Sequence, residues 1–169
     1  MTDTLRSICE QCTHLNNPQL DFIPAKLTRH KEIILRDLRE LVSVASNEHE
    51  KASVMLAGSI LEAILFTFLL WQEPQIAALR PGSFIFDPDQ SLQNYLEIFN
   101  RWFGRHFPKL QLSNLLVYYR DFVHINRELR AQPDECRNAV LTLLRTLDAL
   151  LGELATYGRS APLQGEKHE

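Results

Sequence analysis

Two arginines, a histidine and an aspartate lie close together in the sequence: Arg120, Asp121, His124 and Arg127. In an α-helix with about 100° per residue, Arg120, His124 and Arg127 fall above one another on one side. A histidine with a pKa near neutral can accept a proton from a hydroxyl group, and an arginine can bind a phosphate through two parallel hydrogen bonds. The spacing therefore predicts a site for acid–base chemistry on an anionic substrate.

The surrounding segment has the apolar pattern of a helix that packs on a core. Its predicted apolar face consists of Leu115, Tyr118, Tyr119, Phe122, Val123, Ile125 and Leu129. Val117 lies on the opposite, charged side, so we expect another helix or a second subunit to cover that side. The alternative is a solvated ladder of charges that includes Glu128, in which each pair contributes only about a few tenths of a kcal/mol.

The rest of the chain predicts further helices and no strand. The predicted helices cover residues 2–15, 25–46, 48–71, 91–103, a segment that starts between 110 and 113 and ends at about 131, and 133–157. Asn47 is predicted as an N-cap, 74–80 as one added turn, 81–90 as a loop over the core and Gly158 as a helix end. The predicted apolar sides of the helices at 91–103 and 133–157 are, respectively, Leu92, Tyr95, Leu96, Phe99 and Phe103, and Val140, Leu143, Leu144, Leu147, Leu151 and Leu154. The predicted fold is all-α, an up-and-down-like bundle of about four to five main helices. Residues 1–24 are assigned to an N-terminal helix and linker, 25–157 to the bundle and 158–169 to a disordered tail.

The composition is that of one soluble domain, with 169 residues, 45% hydrophobic and 23% charged. A net charge of −3 argues against a protein whose whole surface binds nucleic acid. Three cysteines without a secretory signal favour a cytoplasmic protein. The apolar segment 54–71 approaches the length of a membrane span, but Glu62 lies near its centre, so we interpret it as the buried central helix.

Glu62 is a second candidate for the site. A carboxylate in an apolar helix costs several kcal/mol if it is buried without a partner, roughly 3–5 for an unpaired charge. We therefore predict that it lies near Arg120 or His124 and holds one of them in place. The alternatives are that it reaches solvent or accepts a hydrogen bond from the backbone of a neighbouring helix.

The order arginine, polar residue, histidine in Arg120-Asp121-Phe122-Val123-His124, together with the helix AGSILEAIL at 57–65, resembles the HEPN superfamily of higher-eukaryote and prokaryote nucleotide-binding domains. The resemblance extends over about residues 25–157 and is to a prokaryotic branch with an RN-x-x-H-type motif. Two features depart from the pattern. The three residues between Arg120 and His124 are fewer than in many active members, and Ile125 replaces a proline that often follows the histidine.

The resemblance implies a helical bundle that forms a homodimer, with two motifs facing one cleft, and a metal-independent ribonuclease or an RNA- or nucleotide-binding protein. It implies catalytic roles for Arg120, His124 and Asp121. Substrate-binding roles are assigned to Arg127, Glu62 and Tyr119. We expect neither a cofactor nor a metal ion, and we expect no membrane among the partners. The rival interpretation is a non-catalytic HEPN-like interaction module that binds a partner protein, such as an antitoxin; a third is an unrelated helical protein.

Two other groups of residues carry weaker signals. Cys9, Cys12 and His14 have the spacing of half a zinc site, but no second cluster exists to complete it, so we interpret them as ordinary helix residues. Four basic residues surround Trp102, Phe103 and Phe107 and could contact a nucleic-acid backbone while the rings stack on bases. They are Arg101, Arg105, His106 and Lys109.

Overall fold

The computed structural model describes residues 4–79, 90–110, 112–120 and 134–160. Within these residues the chain is helical and has no strand, which confirms the all-α prediction. The helices are α1 (Leu5–Gln11), α2 (Thr13–Asn16), α3 (Thr28–Ser46) preceded by a 3₁₀ turn (Ala25–Leu27), α4 (Glu50–Leu79), α5 (Leu92–Phe103), α6 (Leu115–Arg120) and α7 (Glu135–Ser160). The predicted loop at 81–90 lies outside the described residues except for Gln90.

Helix α4 is the centre of the fold, because it packs against α3, α5, α6 and α7. Its length and composition would allow it to cross a membrane, although core helices of soluble proteins pass the same test. In this chain, 61% of its most apolar window is buried inside the protein. The helix also continues through Pro74 instead of ending near Trp71. Ile76, beyond the proline, is only 1% exposed, and its burial helps to offset the backbone hydrogen bond that the proline removes.

The connection between α3 and α4 corrects the predicted N-cap. Asn47 is the C-cap of α3, and Glu48 has a φ of 60°, in the left-handed region where glycine is usual. The N–H of Glu48 donates to the carbonyl of Ala45, and the N–H of His49 donates to the carbonyl of Val44, which closes α3. Because a helix cannot pass through a left-handed residue, α4 begins at Glu50, two residues later than predicted.

Helix α7 buries the predicted face of Val140, Leu143, Leu144, Leu147, Leu151 and Leu154. It runs past Gly158 to Ser160, so the prediction that Gly158 ends the helix is wrong. The glycine has a different role. A Cβ atom at this position would lie 2.5 Å from Cβ and 2.9 Å from Cα of Phe22, so only glycine allows the two chain segments to approach this closely.

We expect Gly158→Ala to lower the free energy of unfolding by about 1–3 kcal/mol, because the added methyl group meets the backbone of the buried Phe22. Gly152→Ala is the matched control. Its Cβ would meet the end of the exposed His14 side chain, 2.6 Å from Nε2, which can rotate away. Alanine also favours a helix over glycine by about 1 kcal/mol. Urea denaturation would check both; equal losses would contradict this explanation.

The N-terminal segment packs into the same core as the later helices. Leu5, Ile8 and Leu15 are at most 2% exposed, and both α1 and α2 contact α7. The Asp148 carboxylate on α7 accepts hydrogen bonds from the backbone N–H groups of His14 at 2.7 Å and Leu15 at 3.0 Å. Residues 4–20 therefore help to complete the bundle. Of the predicted disordered tail at 158–169, residues 158–160 belong to α7, and the rest lies outside the described residues.

Candidate functional site

The predicted catalytic motif begins on α6. The backbone of Tyr119 and Arg120 belongs to this helix, whereas Asp121, His124 and Arg127 lie outside the described residues. The helix starts at Leu115, later than the predicted start between 110 and 113. The preceding chain is held in another conformation, because the Asn100 side-chain amide donates to the carbonyl of Leu112 at 2.7 Å.

The first residues of α6 show which side of the helix packs inward. Leu116 is 2% exposed, and Val117 and Tyr118 are half-buried against the core. The predicted apolar face omitted Leu116. Val117 packs against the chain's own core, and the expected covering of the charged side by another helix or a second subunit stays a prediction. Arg120 follows Leu116 by four residues, so its backbone position lies one turn further along the same side of the helix.

Side-chain contacts connect α6, α7 and α4 around the motif. The Tyr118 hydroxyl donates a hydrogen bond to the Glu135 carboxylate, which joins α6 to the first residue of α7. On α7, Arg137 donates to Glu50 of α4 at 3.1 Å and forms an ion pair with Glu48 at 3.5 Å. Tyr118 of α6 and the first residue of α7 are therefore within side-chain reach of each other.

Glu62 lies at an open depression on the surface of α4. The depression has a volume of about 380 Å³, and Ser59, Ala63, Phe66 and Tyr95 complete its described lining. Glu62 and Phe66 are half-buried, and the imidazole of His30 stacks on Phe66 with ring centroids 5.8 Å apart. A carboxylate, a hydroxyl and an aromatic surface could together bind a polar ring system. The predicted proximity of Glu62 to Arg120 or His124 stays a prediction, because neither of those side chains is described.

Cys9 and Cys12 have the properties of core residues. Their side chains are 1% and 4% exposed. Burial and, to a smaller extent, the nearby Asp148 carboxylate raise the pKa of the Cys12 thiol to about 12. Burial also raises the pKa of Cys9, against a lowering hydrogen bond with Ser46. Zinc binds the thiolate form, which these surroundings disfavour, and the described residues contain no group of three or more potential metal ligands.

The basic cluster at the end of α5 is only partly as predicted. Arg101, Arg105, His106 and Lys109 are exposed. Phe103 and Phe107, however, are 6% and 2% exposed and pack in the core, so they are not available to stack on bases. Trp102 is half-buried. The apolar spacing that predicted the helix also explains this outcome, since large aromatic side chains at the end of an amphipathic helix usually bury their surface.

Comparisons with protein-family models, with curated proteins and with solved structures find no match to this chain. The all-α architecture therefore comes from the structure itself.

Proposed function

We propose that this chain is a HEPN-like cytoplasmic protein that forms a homodimer and binds and cleaves RNA, without a metal ion, in a cleft that includes Arg120 and His124. The all-α bundle is the architecture that this proposal requires. The supporting arrangement is that α6, which includes Arg120, packs on α4, and α4 carries Glu62 at an open depression.

The position of α6 is the observation that carries the proposal. Leu116 is buried, and Arg120 lies one turn beyond it on the side of the helix that faces the core. A guanidinium attracts a phosphate more strongly at a position from which water is partly excluded than on an open surface. The hydrogen bond from Tyr118 to Glu135 fixes the approach to the motif.

The proposed reaction uses the ribose as the nucleophile. His124 takes the proton from a 2′-hydroxyl, whose oxygen attacks the adjacent phosphorus while the bond to the 5′-oxygen breaks. An imidazolium returns a proton to the leaving 5′-oxygen. Arg120 binds the phosphate and stabilises its added negative charge. Asp121 orients a histidine or arginine of the second copy, Arg127 adds phosphate affinity, and Tyr119 and Glu62 contact the substrate.

Incubation of the purified full chain with RNA in EDTA tests this proposal. We expect cleavage that leaves a 2′,3′-cyclic phosphate and a 5′-hydroxyl, and a dimer by light scattering. Cleavage that EDTA abolishes, or products with a 5′-phosphate, would contradict metal-independent attack by the 2′-hydroxyl. A monomer without RNA binding would contradict the composite cleft and favour an unrelated helical protein.

The second candidate is a non-catalytic HEPN-like module that binds a nucleotide or a partner protein, such as an antitoxin, through the same cleft. The short spacing of three residues between Arg120 and His124 favours it, because the two groups then have less freedom to reach opposite sides of a phosphate. Dimerisation and nucleotide binding without cleavage would support this candidate over the enzyme.

A further inference from the structure

A second open depression lies between α7 and the segment that joins α5 to α6, here called the connector (residues 104–114, of which 111 is not described). It has a volume of about 330 Å³, which is at the small end of the range of roughly 300–1,000 Å³ for ligand pockets. In the described lining of the depression, residues of the connector form one side, and residues on a single face of α7 form the other. The lining residues are Lys109, Leu110, Leu112, Thr142, Arg145, Thr146 and Ala149.

The polar groups of this depression suit one kind of ligand. Lys109 and Arg145 carry positive charges, and Thr142 and Thr146 carry hydroxyl groups that can donate hydrogen bonds. No acidic residue belongs to the described lining. Phosphate oxygens accept hydrogen bonds from these donors, and charge-assisted bonds of this kind are about twice as strong as neutral ones. The leucines and the alanine add an apolar surface for the remainder of an organic phosphate.

The α7 donors share one side of the helix. Successive intervals of three, one and three positions separate Thr142, Arg145, Thr146 and Ala149. This spacing places all four on one face of the helix over two turns. Arg145 also interacts with other groups of the protein. A guanidinium has five N–H donors, so Arg145 can bind a phosphate oxygen while it keeps such an interaction.

The connector is held on both sides of Lys109. Phe107 is 2% exposed and stacks on Phe99, with ring centroids 5.4 Å apart. After Lys109, the N–H of Leu110 donates to the carbonyl of Phe107 at 3.0 Å, and Asn100 holds the carbonyl of Leu112. The backbone at Lys109 is therefore ordered before any ligand arrives, which lowers the entropy cost of binding.

We propose that this depression is a binding site for the phosphate group of a nucleotide or other organic phosphate, held by Lys109, Arg145, Thr142 and Thr146. It shares no residue with the proposed RNA cleft, so it does not depend on cleavage by His124. From the sequence, Lys109 was only one member of a basic cluster beside α5. The structure places it across the depression from α7.

Amide NMR spectra of the full chain, titrated with AMP, inorganic phosphate and adenosine, test the proposal. We expect AMP and phosphate to shift the signals of Leu110, Thr142 and Thr146 in a saturable manner, and adenosine to leave them in place. No saturable shift with AMP at about 10 mM, or equal shifts with adenosine, would overturn the proposal. A short RNA that displaces AMP would identify a phosphodiester as the ligand; failure to displace it would restrict the site to monoesters.

Matched variants separate this site from general electrostatic attraction. Lys109→Gln and Arg145→Gln should each weaken AMP binding about tenfold, since each removes a charge-assisted hydrogen bond. Lys26→Gln and Arg39→Gln remove the same charges from exposed positions on and beside α3 and should leave the affinity within about twofold. Equal weakening by both pairs, in variants whose spectra show an intact fold, would overturn the assignment.

Discussion

Phe68→Ala is expected to lower the free energy of unfolding by about 3–5 kcal/mol, the usual cost of removing a buried phenylalanine ring. Phe68 is fully buried on α4. Its ring lies 4.9 Å from that of Phe103 and 5.6 Å from that of Phe99 on α5, and 5.8 Å from that of Tyr157 on α7 (centroid distances). One side chain therefore joins three helices, and its removal would leave a cavity that rigid neighbouring rings cannot easily fill.

Guanidinium denaturation followed by far-UV circular dichroism measures this loss. Met55→Ala is the control, because it shortens a large side chain on the same helix that is 48% exposed. We expect it to change the free energy of unfolding by about 0.5 kcal/mol or less. A loss of less than about 1 kcal/mol for Phe68→Ala would mean that the aromatic cluster repacks and that α4 is not the centre of the core.

The amphipathic helices were predictable because their apolar spacing has only one interpretation. In α5, Leu92, Tyr95, Leu96, Phe99 and Phe103 were predicted on one side and all are buried. The predictions failed at helix ends, where tertiary contacts decide. Glu48 adopts a left-handed conformation, α4 continues past Pro74, and Gly158 serves a close contact with Phe22 instead of ending α7. No local sequence rule contains those contacts.

Helix α4 shows a different limit of sequence reasoning. It is apolar around most of its circumference, so its spacing does not indicate which side faces which neighbour. Gln72 is fully buried, and neither of its side-chain polar atoms has a hydrogen-bond partner among the described residues, which no pattern would have suggested. Helical spacing could place Ser59 and Phe66 on the same side of α4 as Glu62, but it could not place Tyr95 of α5 beside them.

The two candidate sites also differ in how much of each the sequence predicts. Arg120 and His124 could be proposed together because they are one helical turn apart in a single segment. Lys109 and Arg145 could not, because the connector and α7 meet only in the folded chain. A contact between distant segments depends on how helices are rotated and packed, and one sequence without its fold does not determine that.

His124→Ala is expected to reduce RNA cleavage by about 10²–10⁴-fold, because it removes the group that accepts the 2′-hydroxyl proton. His49→Ala is the matched control, since His49 is an exposed histidine at the junction of α3 and α4, and it should leave the rate unchanged. Cleavage in EDTA is measured with both variants and compared with the parent protein, after light scattering and circular dichroism have shown the same assembly and helix content.

Replacement of the motif arginine tests the second proposed catalytic group. Arg120→Ala should reduce cleavage by about 10²–10³-fold, the usual cost of losing one group that stabilises transition-state charge. Arg39→Ala, at an exposed position on α3, controls for the loss of charge. If His124→Ala and Arg120→Ala both retain the parent rate and the same cyclic-phosphate products, the motif is not the catalytic group and the nuclease proposal fails. If both lose cleavage but still bind RNA, the two side chains act on the bond-breaking step, because binding alone would then be intact.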